Sequence, residues 1–163
     1  MFRVSPLQLS QILLGKSLAY ILYVSVAGLI MTSLMVLLKV PLPAYPLQFL
    51  ALLLFVTAAS VGLGLLISSV SSTDSQAIQF TMIALPLSIF FTNFFLEITG
   101  FLWPAWIIAF LIPMSYAVYG FQSLMLVGTS PEPFIWIGLA VVTILAYGLT
   151  SIILRRQYRK VLD

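Results

Sequence analysis

The chain has 163 residues, of which 62% are hydrophobic and only 7% charged, and its formal net charge is +3. A soluble domain of this length needs more polar residues to cover its surface, so this composition excludes a soluble protein. Continuous apolar runs also argue against a β-barrel, whose strands alternate apolar and polar residues. The chain contains no cysteine and no histidine, which excludes disulfides and the commonest metal ligands. We therefore predict an all-α, polytopic integral membrane protein with a single transmembrane domain.

Residues 1–16 are predicted to form a cytoplasmic lead-in helix. Ser5, Pro6 and Gln8 have the order of an N-cap, a first-turn proline and a capping-box residue. Lys16 then marks the membrane boundary.

Four uncharged segments are each about long enough to cross a hydrocarbon core of roughly 30 Å. They are residues 17–38, 47–70, 77–96 and 134–154. The short polar turn 71–76 joins the second and third, so these two spans are expected to lie antiparallel and adjacent. Thr73 and Gln76 form a capping box that starts the third span.

The apolar region 98–127 is interrupted by Pro104 and Pro113. It is either one kinked span or a re-entrant hairpin that enters and leaves the membrane on the outer side. The hairpin is favoured because it places six of the seven lysines and arginines on one side, with only Lys39 opposite. Both termini, including the basic tail 155–163, are then cytoplasmic, and the three tryptophans lie at the outer interface.

The sequence offers no catalytic machinery. All four acidic residues fall in predicted loops or at span ends, whereas a carboxylate inside a span would indicate an ion or proton relay. These residues are Asp74, Glu97, Glu132 and Asp163. There is no glycine-rich phosphate loop and no nucleophile with a paired base. We therefore predict a protein that is not an enzyme and that holds no cofactor, metal ion or nucleic acid.

Two pairs of small residues in the second span have the spacing that lets membrane helices approach closely. They are Ala58 with Gly62, and Ser60 with Gly64. Two interpretations stay open, namely packing within the chain and an interface with another subunit.

Three motifs follow one another along the chain. They are Ser5-Pro6-Leu7 with Leu13-Leu14-Gly15-Lys16, then Gly62-Leu63-Gly64-Leu65-Leu66-Ile67-Ser68-Ser69 with Thr73 and Gln76-Ala77, and finally Pro113-Met114-Ser115-Tyr116. Their order resembles the permease subunits of ABC-2 type exporters over nearly the whole chain. The resemblance places Pro113, Ser115 and Tyr116 in the re-entrant element, to which Pro104 also belongs. One departure is Ile112, where the family often has asparagine.

The resemblance implies a permease subunit of an ATP-driven exporter in a bacterial or archaeal plasma membrane. Since the family usually has six spans, this chain would be a C-terminal fragment, a split gene product or a decayed copy. Its implied partners are a nucleotide-binding ABC ATPase subunit, a second permease subunit and membrane lipid. By the resemblance, ATPase contact falls on the end of a cytoplasmic connection, at Phe2, Val4, Ser5, Pro6 and Leu7.

The uncharged, aromatic-rich spans suit a hydrophobic, amphipathic or lipid-linked substrate. The alternative function is that of a non-transporting membrane scaffold or accessory subunit. A co-purifying ATPase would distinguish the exporter from the scaffold.

Overall fold

A computed structural model describes residues 9–40, 43–92 and 109–162. Within these ranges all regular secondary structure is helical. The helices are α1 (Leu9–Leu37), α2 (Pro46–Val70), α3 (Asp74–Phe90), α4 (Pro113–Gln122) and α5 (Pro133–Leu162), and a π-helical turn, Ser123–Val127, continues α4. Residues 109–111 are also helical.

Three helical stretches in the described ranges are long and apolar enough to cross a membrane. They are Leu14–Leu37, Pro46–Val70 and Pro133–Gln157. The prediction of an all-α polytopic membrane protein is thereby confirmed. The remaining predicted span, 77–96, corresponds to α3, but residues 93–96 lie outside the described ranges, so the count of four spans stays a prediction.

The helix boundaries follow from local chemistry. Proline occupies the first turn of α2, where its missing N–H costs no hydrogen bond. Thr73 caps α3 by accepting a hydrogen bond from the Gln76 N–H at 3.3 Å. The Gln76 side chain reaches back to the N–H of Ser72 at 2.9 Å, one residue further than in a regular capping box. The sequence thus ends α2 and starts α3 within a few residues.

The end of α1 has a left-handed cap. Lys39 has φ 61°, and the Lys39 and Val40 N–H groups donate to the carbonyls of Val36 and Met35, both at 3.0 Å. This is the pattern of a Schellman motif, in which the left-handed residue is usually glycine. At its other end α1 runs without a break past Lys16, where the predicted lead-in helix was to meet the first span. Where the membrane begins along α1 stays a prediction.

Helix α2 is the centre of the bundle, and α5 lies parallel to it. Phe55 and Trp136 meet edge-on near the start of α5, with ring centroids 5.8 Å apart. Near the other end, the Gln157 side-chain N–H donates to the Ser69 carbonyl at 3.0 Å. In the second contact both residues lie further along their helices than in the first. Helices α2 and α5 are therefore parallel and run side by side over most of their length.

Helix α1 runs antiparallel to α2. Leu53 packs against Gly28, whereas Lys16 and Ser68 line a common groove further along. The bundle therefore has a basic end, which carries Lys16, the turn between α2 and α3, and the C-terminal part of α5. We call the opposite end, where α2 and α5 begin, the far end.

The core lies in the far half of the bundle and is built from α2, α4 and α5. Its buried side chains are Phe49, Leu52, Ala59, Tyr116, Leu124, Ile135, Leu139 and Val142. By contrast, α3 buries none of its residues, and most large apolar side chains of α1 are exposed. The bundle thus consists of one packed unit with two peripheral helices, as expected where lipid or other protein covers the outer faces.

The segment between α3 and α5 starts and ends at the far end. The Ser115 hydroxyl donates to the carbonyl of Phe91, just after α3, at 3.4 Å. The Ala44 N–H, just before α2, donates to the Leu124 carbonyl, also at 3.4 Å. This is the geometry that a re-entrant hairpin requires. The first half of the hairpin, including Pro104, lies outside the described residues, so the complete hairpin stays a prediction.

This helix arrangement predicts the sidedness of the chain. We expect reporters fused after Ser72 and after Asp163 to lie on the same side of the membrane, and a reporter at Pro43 to lie on the other. The positive-inside rule makes the first side the cytoplasm. Green fluorescent protein and alkaline phosphatase fusions would measure this, and opposite locations for the Ser72 and Asp163 reporters would contradict it.

Candidate functional site

The motif Pro113-Met114-Ser115-Tyr116 forms a packed junction at the far end. Ile112 is extended (φ −94°, ψ 118°), which is the conformation favoured before proline, and it ends the short helix 109–111. Pro113, Ser115 and Tyr116 are all buried. The tyrosine hydroxyl donates to the carbonyl of Phe110 at 3.0 Å and so ties the two sides of the helix break together.

Two glycines let this junction approach the long helices. The Tyr116 ring lies so close to Gly138 of α5 that a Cβ atom there would overlap it. Gly120 of α4 faces Leu52 of α2, where an added Cβ would lie 2.6 Å from a Leu52 methyl carbon. Since Ser115 also reaches the end of α3, one short helix contacts three neighbours. The junction therefore fixes α4 against α2, α3 and α5.

The predicted packing residues of α2 divide into two faces. Gly62 is buried against α5, because a Cβ there would lie 3.0 Å from the Tyr147 ring and 3.1 Å from the Ala146 methyl. Ala58, its predicted pair, is half-buried. Ser60 and Gly64 are exposed, and a Cβ on Gly64 would meet nothing within 4 Å. Gly62 thus serves packing within the chain, whereas no described helix covers Gly64.

Two grooves flank the open Gly64 face at the basic end of the bundle. The α1–α2 groove has a volume of about 340 Å³ and is lined by Lys16, Tyr20 and Ser68 among others. The α2–α3 groove, of about 470 Å³, is lined mainly by apolar residues such as Ile78 and Met82. Sequence reasoning missed both. No sequence signal indicates them, because each groove depends on which two helices become neighbours.

The other candidate residues lie apart from these features. Phe2, Val4, Ser5, Pro6 and Leu7, the predicted ATPase contact, fall outside the described residues. Asp74 is in the first turn of α3, where a carboxylate favours the helix dipole. Among the described residues there is no group of three or more acidic, histidine or cysteine side chains that could hold a metal ion.

The fold and this junction define a polytopic helical membrane protein in which the short helix α4 packs against the long helices α2 and α5. The family model of the ABC-2 type transporter matches residues 2–126, and the chain therefore belongs to the ABC-2 type transporter family. The match includes α1 to α4 and leaves α5 outside. No curated protein and no solved structure matches the chain. Membership makes the chain a transport membrane domain rather than a catalytic one, and it implies partnership with an ABC ATPase.

The unequal surroundings of the two α2 glycines predict unequal effects of the same substitution. Gly62→Leu should destabilise the fold by about 1–3 kcal/mol, because the larger side chain must displace the Tyr147 ring. Gly64→Leu should leave stability within about 0.5 kcal/mol of the parent, as at other exposed positions. Thermal unfolding in detergent would measure both. Equal losses in the two variants would contradict the described packing of α2 on α5.

The Tyr116 hydroxyl provides a second test. Tyr116→Phe should lower stability by about 1 kcal/mol, since it removes the hydrogen bond to the Phe110 carbonyl. Tyr147→Phe is the matched control, because the Tyr147 hydroxyl is buried and has no partner within the described residues. Removing the Tyr147 hydroxyl should leave the stability of the fold unchanged or raise it. Equal changes in stability of the two variants in the same thermal unfolding assay would contradict the hydrogen bond between Tyr116 and Phe110.

Proposed function

We propose that the chain is the permease subunit, or the C-terminal part of one, of an ABC exporter in the plasma membrane. It would move a hydrophobic, amphipathic or lipid-linked substrate outward, with ATP hydrolysed by a separate subunit. The observation that carries this proposal is the family match across α1 to α4, together with spans that hold no charged side chain in their described middle portions.

The continuity of α1 supports a mechanical connection to the ATPase. This helix starts at Leu9, directly after the proposed contact residues, and runs unbroken for 29 residues to Leu37. A displacement at its N-terminal end would therefore be carried along the helix as a rigid body. Near its middle α1 meets α2 through Gly28 and Leu53. ATP-driven motion would thus reach the packed unit mainly through the contact between α1 and α2.

The exposed apolar surface supports a paired arrangement. Helix α3 buries none of its residues within the chain, and large apolar side chains such as Met82, Ile83 and Leu85 are more than half exposed. In a membrane, lipid or a second permease subunit covers such faces. We therefore include a second permease subunit among the proposed partners.

Cysteine crosslinking tests the ATPase contact, because the chain has no cysteine of its own. Single cysteines replacing Phe2, Val4 or Leu7 should crosslink to an ABC ATPase subunit in the purified complex. A cysteine replacing Pro43, at the far end, is the control and should give no crosslink. ATP hydrolysis by the same complex would confirm that it is intact.

Two results would oppose the proposal. If no ATPase co-purifies with the chain under conditions that preserve the complex, the chain acts as a scaffold or accessory subunit instead. If an ATPase co-purifies but all three positions are accessible only to lipid, the contact lies elsewhere in the chain.

A further inference from the structure

We propose that the α1–α2 groove at the basic end of the bundle binds the headgroup region of an anionic phospholipid. The residues that carry this inference are Lys16, Tyr20, Val24, Gly64, Leu65 and Ser68. The groove volume of about 340 Å³ lies in the range of small-ligand sites. The inference does not depend on the transport proposal, since it rests only on the groove itself.

The α1 side of the groove changes from charged to apolar along the helix. Lys16, Tyr20 and Val24 are spaced by four residues, so they lie on one face of α1. Over about 12 Å of helix this face presents an ammonium group, then a phenol, then an aliphatic side chain. Lys16 is exposed and Tyr20 is 52% exposed, so both polar groups are open to a ligand.

The α2 wall of the groove also changes from polar to apolar side chains along its length. Because α2 runs antiparallel to α1, Ser68 lies near Lys16 at the basic end and Val61 lies near Val24, deeper in the bundle. Leu65 and Gly64 lie between them, and the glycine leaves the middle of the groove open. Both walls thus have hydroxyl or ammonium groups at the basic end of the bundle and apolar surface further in. A phospholipid has the same arrangement, with its phosphate at the boundary and its acyl chains in the core.

Charge selects an anionic lipid among the membrane components. The ammonium group of Lys16 is the charged group that lines the groove, and in the described parts of the chain it has no carboxylate partner. Asp74 lies at the same end of the bundle but does not line this groove. A lysine next to hydroxyl groups is a suitable phosphate partner. A transmembrane helix of another subunit would instead leave this ammonium group facing apolar side chains, at a desolvation cost.

The test uses the full chain in phosphatidylcholine vesicles. A single cysteine replaces Tyr23, which is 76% exposed and adjoins the groove without lining it, and carries a fluorophore. Nitroxide-labelled phosphatidylglycerol and nitroxide-labelled phosphatidylcholine are compared as quenchers. We expect phosphatidylglycerol to be preferred about fivefold at this site, the effect of one lysine near an anionic lipid.

Two variants with matched controls test the groove. Lys16→Gln should abolish the preference, whereas Lys39→Gln, at the far end, should retain it. Gly64→Leu fills the groove without changing the charge and should also abolish the preference. Gly148→Leu is its control, because a Cβ on Gly148 likewise meets nothing within 4 Å. Circular dichroism would establish that each variant keeps its helical content.

Each other outcome overturns the proposal. Equal quenching by the two lipids in the parent would show that the groove does not select an anion. Retained preference in Gly64→Leu would mean that Lys16 attracts lipid only through its general surface charge. A label shielded from both lipids would show that protein, rather than lipid, covers the groove.

Discussion

The parallel packing of α2 and α5 is the constraint on which the rest of the structure depends. Two neighbouring helices can run parallel only if the chain between them returns to the end where the first one began. Helix α3 makes one such return, since it leaves the basic end after the short turn and reaches the far end near Phe91. The described part of the next segment, from residue 109 onwards, lies at the far end, where α5 starts at Pro133. The short helix α4 at the far end is consistent with this pairing.

Helix α4 is held in place by groups that only this arrangement brings together. Tyr116 contacts Gly138, which lies five residues after the start of α5, and its hydroxyl bonds to a carbonyl on the other side of the break at Ile112. Gly120 contacts Leu52 of α2. At both glycines a side chain of the facing helix occupies the space that a Cβ atom would take. The π-helical turn that follows ends at Gly128, whose φ of 73° turns the chain towards α5.

The signals that sequence patterns read correctly are local. Apolar length indicates the three helices long enough to cross a membrane, and the Thr73 and Gln76 pair indicates the start of α3. The packing partners could not be predicted, since they depend on which helices become neighbours. Gly62 and Gly64 have the same chemistry and nearly the same position, yet one contacts Tyr147 and the other faces an open groove. Gly138 lies in an apolar run without a distinguishing neighbour, so its contact with Tyr116 emerges only from the fold.

The uneven distribution of packing gives the two parts of the bundle different mechanical properties. Helices α2, α4 and α5 interlock around buried side chains such as Leu52 and Leu139, and close-packed groups of this kind move together. Helix α1 lies along α2 but buries few of its own side chains, and an open groove lies beside Lys16. A helix held in this way can tilt or slide without unpacking the core, because few buried contacts must break. The ATP-driven motion proposed for this family member would therefore change the α1–α2 spacing first. The lipid proposed for that groove occupies the space that such a motion opens and closes.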